Sequence, residues 1–251
     1  MQTTLERPTK LNEDLLMENK ICLVTGASRG IGKSITRKLL ENGATVCATA
    51  RNADTLSQLR AEFSAYQKQL HIFPADLNSK FAVEGLCQAV SDAVGDIDIL
   101  VNNAGILHLA TIDNSSEELL RTSFEVNVFA PFALTKYFSR SMLQKQQGDI
   151  INITSSSSYT GGGAPGHCIY AATKHALLGF SRALDEELRS KNIRVGTVSP
   201  AGVSTDMMME RTDVDHSTLM TADEVADAVI FLLRSKGEGI VYEMRMWRKN
   251  R

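Results

Sequence analysis

The chain has 251 residues, 43% hydrophobic and 22% charged, the composition of an ordinary globular protein large enough to bury a core without disulfide or metal staples. Its 27 Lys and Arg against 29 Asp and Glu leave a net charge of −2, which gives no basic field for nucleic acid or an anionic membrane surface. No apolar run approaches the length of a membrane span, and the first 20 residues lack the apolar core of a signal peptide, so a cytoplasmic location is expected.

Residues 1–19 read as a polar arm and 20–251 as one domain. Beyond the arm, short apolar runs alternate with longer segments of helical period. The runs are Ile21–Val24, Ala44–Ala48, His71–Phe73, Ile97–Val101, Asp149–Ile153, Ile193–Val198 and Gly239–Tyr242. Between them, Lys33–Asn42, Ser79–Val94, Ser116–Lys145, Ala171–Ser190 and Ala222–Ser235 carry apolar residues near i, i+3 and i+4. Near-continuous apolar strands alternating with helices predict an α/β fold: a doubly wound parallel sheet of about seven strands with helices on both faces. The four cysteines form no CxxC pair and read as small buried hydrophobes, so no metal site is expected.

The first strand runs into Thr25-Gly-Ala-Ser-Arg-Gly-Ile-Gly32 and then a helix. Gly26, Gly30 and Gly32 permit a tight turn and a close backbone approach to a pyrophosphate at the helix N-terminus, the arrangement of a Rossmann dinucleotide site. This segment resembles the cofactor signature of the short-chain dehydrogenase/reductase family, including the 3-oxoacyl-carrier-protein reductase-like carbonyl reductases. Asn102-Asn-Ala-Gly105 resembles that family's second signature, and Tyr170-Ala-Ala-Thr-Lys174 its catalytic Tyr-x-x-x-Lys. The match runs in order from about residue 20 to 235.

The resemblance implies a nicotinamide cofactor bound by Gly26, Ser28, Arg29, Gly30, Ile31 and Gly32. Asp76 would take the adenine amino group with the Leu77 backbone beside it. Asn103, Ala104 and Gly105 would lie along the cofactor, and Pro200, Val203 and Thr205 would meet the carboxamide. Ala201 stands where the family usually has glycine. At the end of the second strand Ala50 replaces the acid of an NAD enzyme, and Arg51 follows it. Two guanidiniums, Arg29 and Arg51, without a carboxylate favour the 2′-phosphate of NADP(H).

Tyr170 and Lys174, four apart on a helix, share a face. A nearby ammonium and an oxidised nicotinamide would lower the Tyr170 pKa, and Lys174 would also hold the nicotinamide ribose. In reduction, Tyr170 would donate a proton to the carbonyl oxygen. The family's substrate-orienting serine falls on Ser155 when counted from the strand end and on Ser157 when counted back from Tyr170; the strand end is the firmer anchor, which favours Ser155. Asn127 would complete the tetrad by holding a water. His167 reads as pocket lining or a loop residue.

The segment Asp206–Met220, with Met207, Met208, Met209, Leu219 and Met220, stands where the family carries a substrate lid. Leu107, Leu109 and Tyr159 would add apolar surface. No cluster of arginines near Ser155 or Tyr170 suggests a strongly anionic substrate head, so the expected substrate is a ketone or aldehyde of moderate size, partly apolar. The expected activity is NADPH-dependent carbonyl reduction. The same site could run toward alcohol oxidation, and a non-catalytic NADP(H)-binding regulator is the reading of a different class. Ile240, Tyr242, Met244 and Met246 alternate as a last strand would. The ending Met246-Trp-Arg-Lys-Asn-Arg251 departs from the family's usual finish, which leaves dimer and tetramer both open.

Overall fold

The computed structural model describes residues 16–162, 165–209, 214–235 and 239–249. Most of the arm, at 1–15, and the last two residues lie outside them. Seven strands form one parallel sheet: β1 Ile21–Thr25, β2 Thr45–Ala50, β3 Leu70–Pro74, β4 Ile99–Asn102, β5 Gly148–Ile153, β6 Ile193–Pro200 and β7 Glu243–Met246. Their order is β3-β2-β1-β4-β5-β6-β7. The order reverses between β1 and β4, so a crevice opens there at the carboxyl ends of the strands.

Alternation along each strand sends side chains into two cores. Cys22, Val24, Val46, Ala48, Ile99, Val101, Ile151 and Ile153 point to one face. There they meet α1 (Gly30–Glu41), α2 (Ala53–Glu62) and α8 (Ala222–Arg234) through Ile35, Leu39, Leu56, Val225 and Val229. Leu23, Cys47, Leu100 and Ile150 point the other way, toward α3 (Lys80–Val94), α5 (Ala130–Lys145) and α6 (Cys168–Leu188). Cys22, Cys47 and Cys87 are buried, as small hydrophobes are, whereas Cys168 is exposed. Met17, placed in the arm by the sequence, is fully buried in the first core, with its N–H donating to the Asn42 carbonyl.

Several elements differ from the sequence expectation. The last strand is Glu243–Met246, the second half of the Ile240–Met246 alternation rather than the run Gly239–Tyr242, because the ladder with β6 begins at Thr197 opposite Glu243, with Met244 and Met246 against the core. The helical stretch Ser116–Lys145 is not continuous: α4 (Glu117–Phe124) gives way to a five-residue π-turn at Glu125–Phe129 before α5. The turn places Asn127 inward, fully buried. Helix α2 has no counterpart in the predicted elements. It is capped by Asn52, whose side chain accepts from the Asp54 and Thr55 N–H groups.

Candidate active site

The turn after β1 is held by side chains of the neighbouring strand end. Thr25 Oγ1 accepts from the N–H groups of Asn103 (3.0 Å) and Ala104 (2.9 Å). Asn103 Nδ2 donates back to the Thr25 carbonyl at 2.8 Å. The turn is tight enough that a Cβ on Gly32 would stand 2.1 Å from the Gly26 carbonyl oxygen. Gly26 and Gly30 adopt φ of +65° and +52°, the left-handed region open to glycine. Helix α1 then begins with no acidic residue in its first turn and no side-chain cap from Arg29. Its first N–H groups therefore face the crevice without an anionic partner from the chain, which is what a pyrophosphate site requires.

The two arginines expected near a 2′-phosphate differ in state. Arg51 is exposed and makes no ion pair or hydrogen bond among the described residues. Arg29 Nη1 lies 3.1 Å from Asp206 Oδ2 in an exposed ion pair. The sequence reading placed no carboxylate here, and the fold brings Asp206, at the start of the short helix α7 (Asp206–Met209), across the crevice to it. Thr205 packs over the turn, 3.0 Å from where a Gly30 Cβ would stand. Asp76 is exposed and caps its own loop through the Asn78 N–H.

Beyond the turn the crevice widens into a cleft of about 970 Å³. Ile31, Asn103 and Gly105 line one side, Ser155, Tyr170 and Lys174 the floor, and Pro200, Val203 and Thr205 the opposite wall. The Ser155 hydroxyl hydrogen-bonds the Tyr170 phenol and also accepts the Ser157 N–H at 3.1 Å. Ser157 lines the cleft as well. Lys174 Nζ stands 5.7 Å from the Tyr170 ring centroid and donates to the Ile153 carbonyl at 3.0 Å.

Burial pushes the Tyr170 phenol above its ordinary value, with the Ser155 hydrogen bond opposing the rise in part. The lowering expected from the sequence depends on an oxidised nicotinamide beside the ring; within the chain alone, burial dominates at Tyr170 and the Lys174 ammonium faces a carbonyl. Burial likewise lowers Lys174 to about 8. Asn127 lies one layer behind. Its Oδ1 accepts the Ile106 N–H at 2.8 Å, and its Nδ2 donates to the Ile106 carbonyl and to Thr173 Oγ1. These bonds clamp the loop after β4 to α6, and a Cβ on Gly105 would sit 3.3 Å from Asn127 Oδ1 and 3.4 Å from Lys174 Nζ.

A family model for short chain dehydrogenase matches residues 20–215. The chain belongs to the short-chain dehydrogenase family. It is therefore an oxidoreductase. It is 34% identical over 235 residues to the 3-oxoacyl-acyl-carrier-protein reductase of Escherichia coli strain K12, covering 90% of this chain and 94% of that one. It is 33% identical over 223 residues to carbonyl reductase family member 4 of Xenopus tropicalis, covering 86% and 92%. A short chain dehydrogenase from Burkholderia cenocepacia J2315, solved in complex with NADP, superposes with a TM-score of 0.82 at 29% identity, over 92% of this chain and 97% of that one.

In this dehydrogenase the substrate wall differs from the sequence expectation. Leu107, Met207 and Met208 line the cleft, whereas Leu109 and Met209 are largely exposed. Met220 joins the core and Leu219 packs against Gly202. Tyr159 does not reach the cleft: it lies beneath Arg245, whose guanidinium is 3.7 Å from the ring centroid. His167 is buried and lines the cleft. Thr218, within the expected lid segment, also lines the cleft, and sequence reasoning missed Trp247 and Arg248 on the same wall. The signal available was topological: residues just after a parallel strand emerge at the carboxyl edge of the sheet, where the crevice lies.

Proposed function

We propose that this dehydrogenase is an NADPH-dependent carbonyl reductase acting on a ketone or aldehyde of small to medium size, partly apolar. The observation that carries the reading is the convergence of Tyr170, Ser155 and Lys174 on the floor of one cleft that runs to the glycine turn. The glycine turn, the unopposed first turn of α1 and the wall Pro200–Thr205 would hold NADP(H), with Arg51 and Arg29 on the 2′-phosphate; its nicotinamide supplies the hydride. The relative solved with NADP supports that choice.

The chain's own groups would handle the proton. Ser155 donates a hydrogen bond to the substrate carbonyl and orients it. Tyr170, kept as the neutral phenol by burial, gives its proton to the carbonyl oxygen as negative charge develops there. Lys174 holds the ribose and places a positive charge behind the phenolate that results. Asn127 keeps the loop after β4 and α6 in register so that this geometry persists. Residues 20–251 act as one catalytic unit in the cytoplasm. A homo-oligomer, dimer or tetramer, forms through α5 and α6, where Phe132 is half exposed and packs tilted against Phe180 at 5.7 Å between ring centroids.

The test is NADPH consumption against a panel of ketones with wild type and Tyr170→Phe. The variant should bind NADPH normally and lose about 10²- to 10⁴-fold in turnover, the usual contribution of a positioned proton donor. Undiminished turnover would remove Tyr170 from that role.

A further inference from the structure

We infer that Arg248, in the tail after β7, is a specificity-determining residue that selects substrates bearing a carboxylate in addition to the reacting carbonyl. The inference rests on the reductase reading and deepens it.

The placement follows from the sheet. The β6–β7 ladder ends with Pro200 opposite Met246, and the Ala201 N–H donates to the Met246 carbonyl at 2.9 Å. The next two residues therefore leave the sheet at its carboxyl edge, beside the wall Pro200–Thr205. Trp247 and Arg248 both line the cleft. The Arg248 side chain packs along Gly202, where a Cβ would stand 3.8 Å from its Cδ. Its Nη1 donates to Thr218 Oγ1 at 3.1 Å, which fixes the guanidinium against the lid segment. Arg248 thus ties the tail after the last strand to the Thr218 segment on the cleft wall.

Its surroundings make the charge count. Among the described residues, Lys174 and Arg248 are the only Lys or Arg side chains on the cleft wall, and Lys174 is committed to the floor. The remainder is largely apolar or hydroxyl-bearing, with Leu107, Met207, Met208 and Val214 among the apolar members. Asp215 also reaches the wall, where hydrogen bonds from Ser217 and, more weakly, the His216 and Arg248 charges hold its carboxyl below the usual range; it is exposed, and its Oδ1 is taken by the Ser217 N–H (3.0 Å) and hydroxyl (2.7 Å). An exposed carboxylate is screened by water, whereas Arg248 is half-buried and one bond to Thr218 leaves most of its five donors unspent. A guanidinium fork held in this way suits a planar carboxylate taken bidentately.

The probes are levulinate and methyl levulinate, which share a ketone and a carbon skeleton and differ in charge. Trp247 is the only tryptophan of the chain and adjoins Arg248, so its fluorescence reports the tail directly. In wild type, levulinate should saturate the signal at about tenfold or more lower concentration than the ester. Arg248→Met should collapse that difference, and Arg248→Lys should retain part of it. Thr218→Val, which removes the strut and leaves the guanidinium, should keep the preference. Equal affinity for the two probes in wild type, or an equal loss of both in Arg248→Met, would overturn the assignment and reduce Arg248 to a structural strut. NADPH titrated against the same fluorescence separates the two levels: a carboxylate preference without NADPH binding defeats the reductase reading alone, and NADPH binding without the preference defeats the Arg248 assignment alone.

Discussion

The glycine turn after β1 and the segment after β6 face each other across one cleft and are built differently. The turn is clamped tightly by side chains bonded to backbone: the Thr25 hydroxyl takes two N–H groups from the end of β4, the Asn103 amide donates back to the Thr25 carbonyl, and no added carbon fits at Gly32. The opposite wall is tied by backbone bonds at its base, Ala201 N–H to the Met246 carbonyl and Ser204 N–H to the Met220 carbonyl, and beyond them by side chains, the bond from Arg248 to Thr218 and the exposed Arg29–Asp206 pair. Exposed pairs of that kind contribute about 0–1 kcal/mol. The contrast teaches a division of labour. On the proposed reading, the tightly packed turn serves the cofactor and the more exposed side chains of the segment after β6 serve the substrate.

Gly32→Ala should break the rigid side outright. A carbon 2.1 Å from the Gly26 oxygen must push the turn open, costing about 1–3 kcal/mol or more of stability and abolishing NADPH binding. Thermal unfolding and fluorescence titration check this. Unchanged binding in the variant would mean that the turn is far more pliable than its hydrogen bonds indicate.

Those two sides were not equally legible in the sequence. The glycine spacing, Asn103 and the Tyr170–Lys174 pair are local patterns, and the fold assembles them on one cleft. Arg248, Thr218 and Asp206 meet their partners across long separations in the chain, so spacing carries no trace of them. Helix α2 escaped because only Leu56 and Leu59 of its residues are buried, too few for a clear period; the Asn52 cap was its available mark. The last strand was displaced because Ile240, Val241 and Tyr242 form the more apolar run, yet β6 pairs with Glu243–Met246. The π-turn at Glu125–Phe129 adds a residue to one helical turn, which a period of 3.6 does not reveal.

On the catalytic floor between the two walls, pH sharpens the account. Burial holds Lys174 at about 8, below the ordinary lysine value, so its ammonium is present below that pH and lost above it. The kcat/KM for carbonyl reduction should fall as pH rises through about 8, approaching tenfold per unit beyond it. In Lys174→Arg, whose charge persists, the limb should move upward even if the rate is lower. A limb that stays in place would assign it to another group.

The smallest stability effect belongs to the exposed end of the opposite wall. Met207 is substantially exposed, so Met207→Ala should change stability by less than about 0.5 kcal/mol while altering KM for the carbonyl substrate. A large loss of stability would show that this wall is as structural as the turn opposite.

The most direct measurement is the titration of NADPH against NADH, with wild type and Arg51→Ala, following quenching of the Trp247 fluorescence. Arg51 is exposed at the end of β2, where Ala50 supplies no carboxylate. The account predicts that NADPH binds more tightly than NADH, and that the substitution weakens NADPH by about 1.5–3 kcal/mol, the worth of a charge-assisted hydrogen bond, with NADH little affected. Equal binding of the two cofactors, unmoved by the substitution, would contradict it.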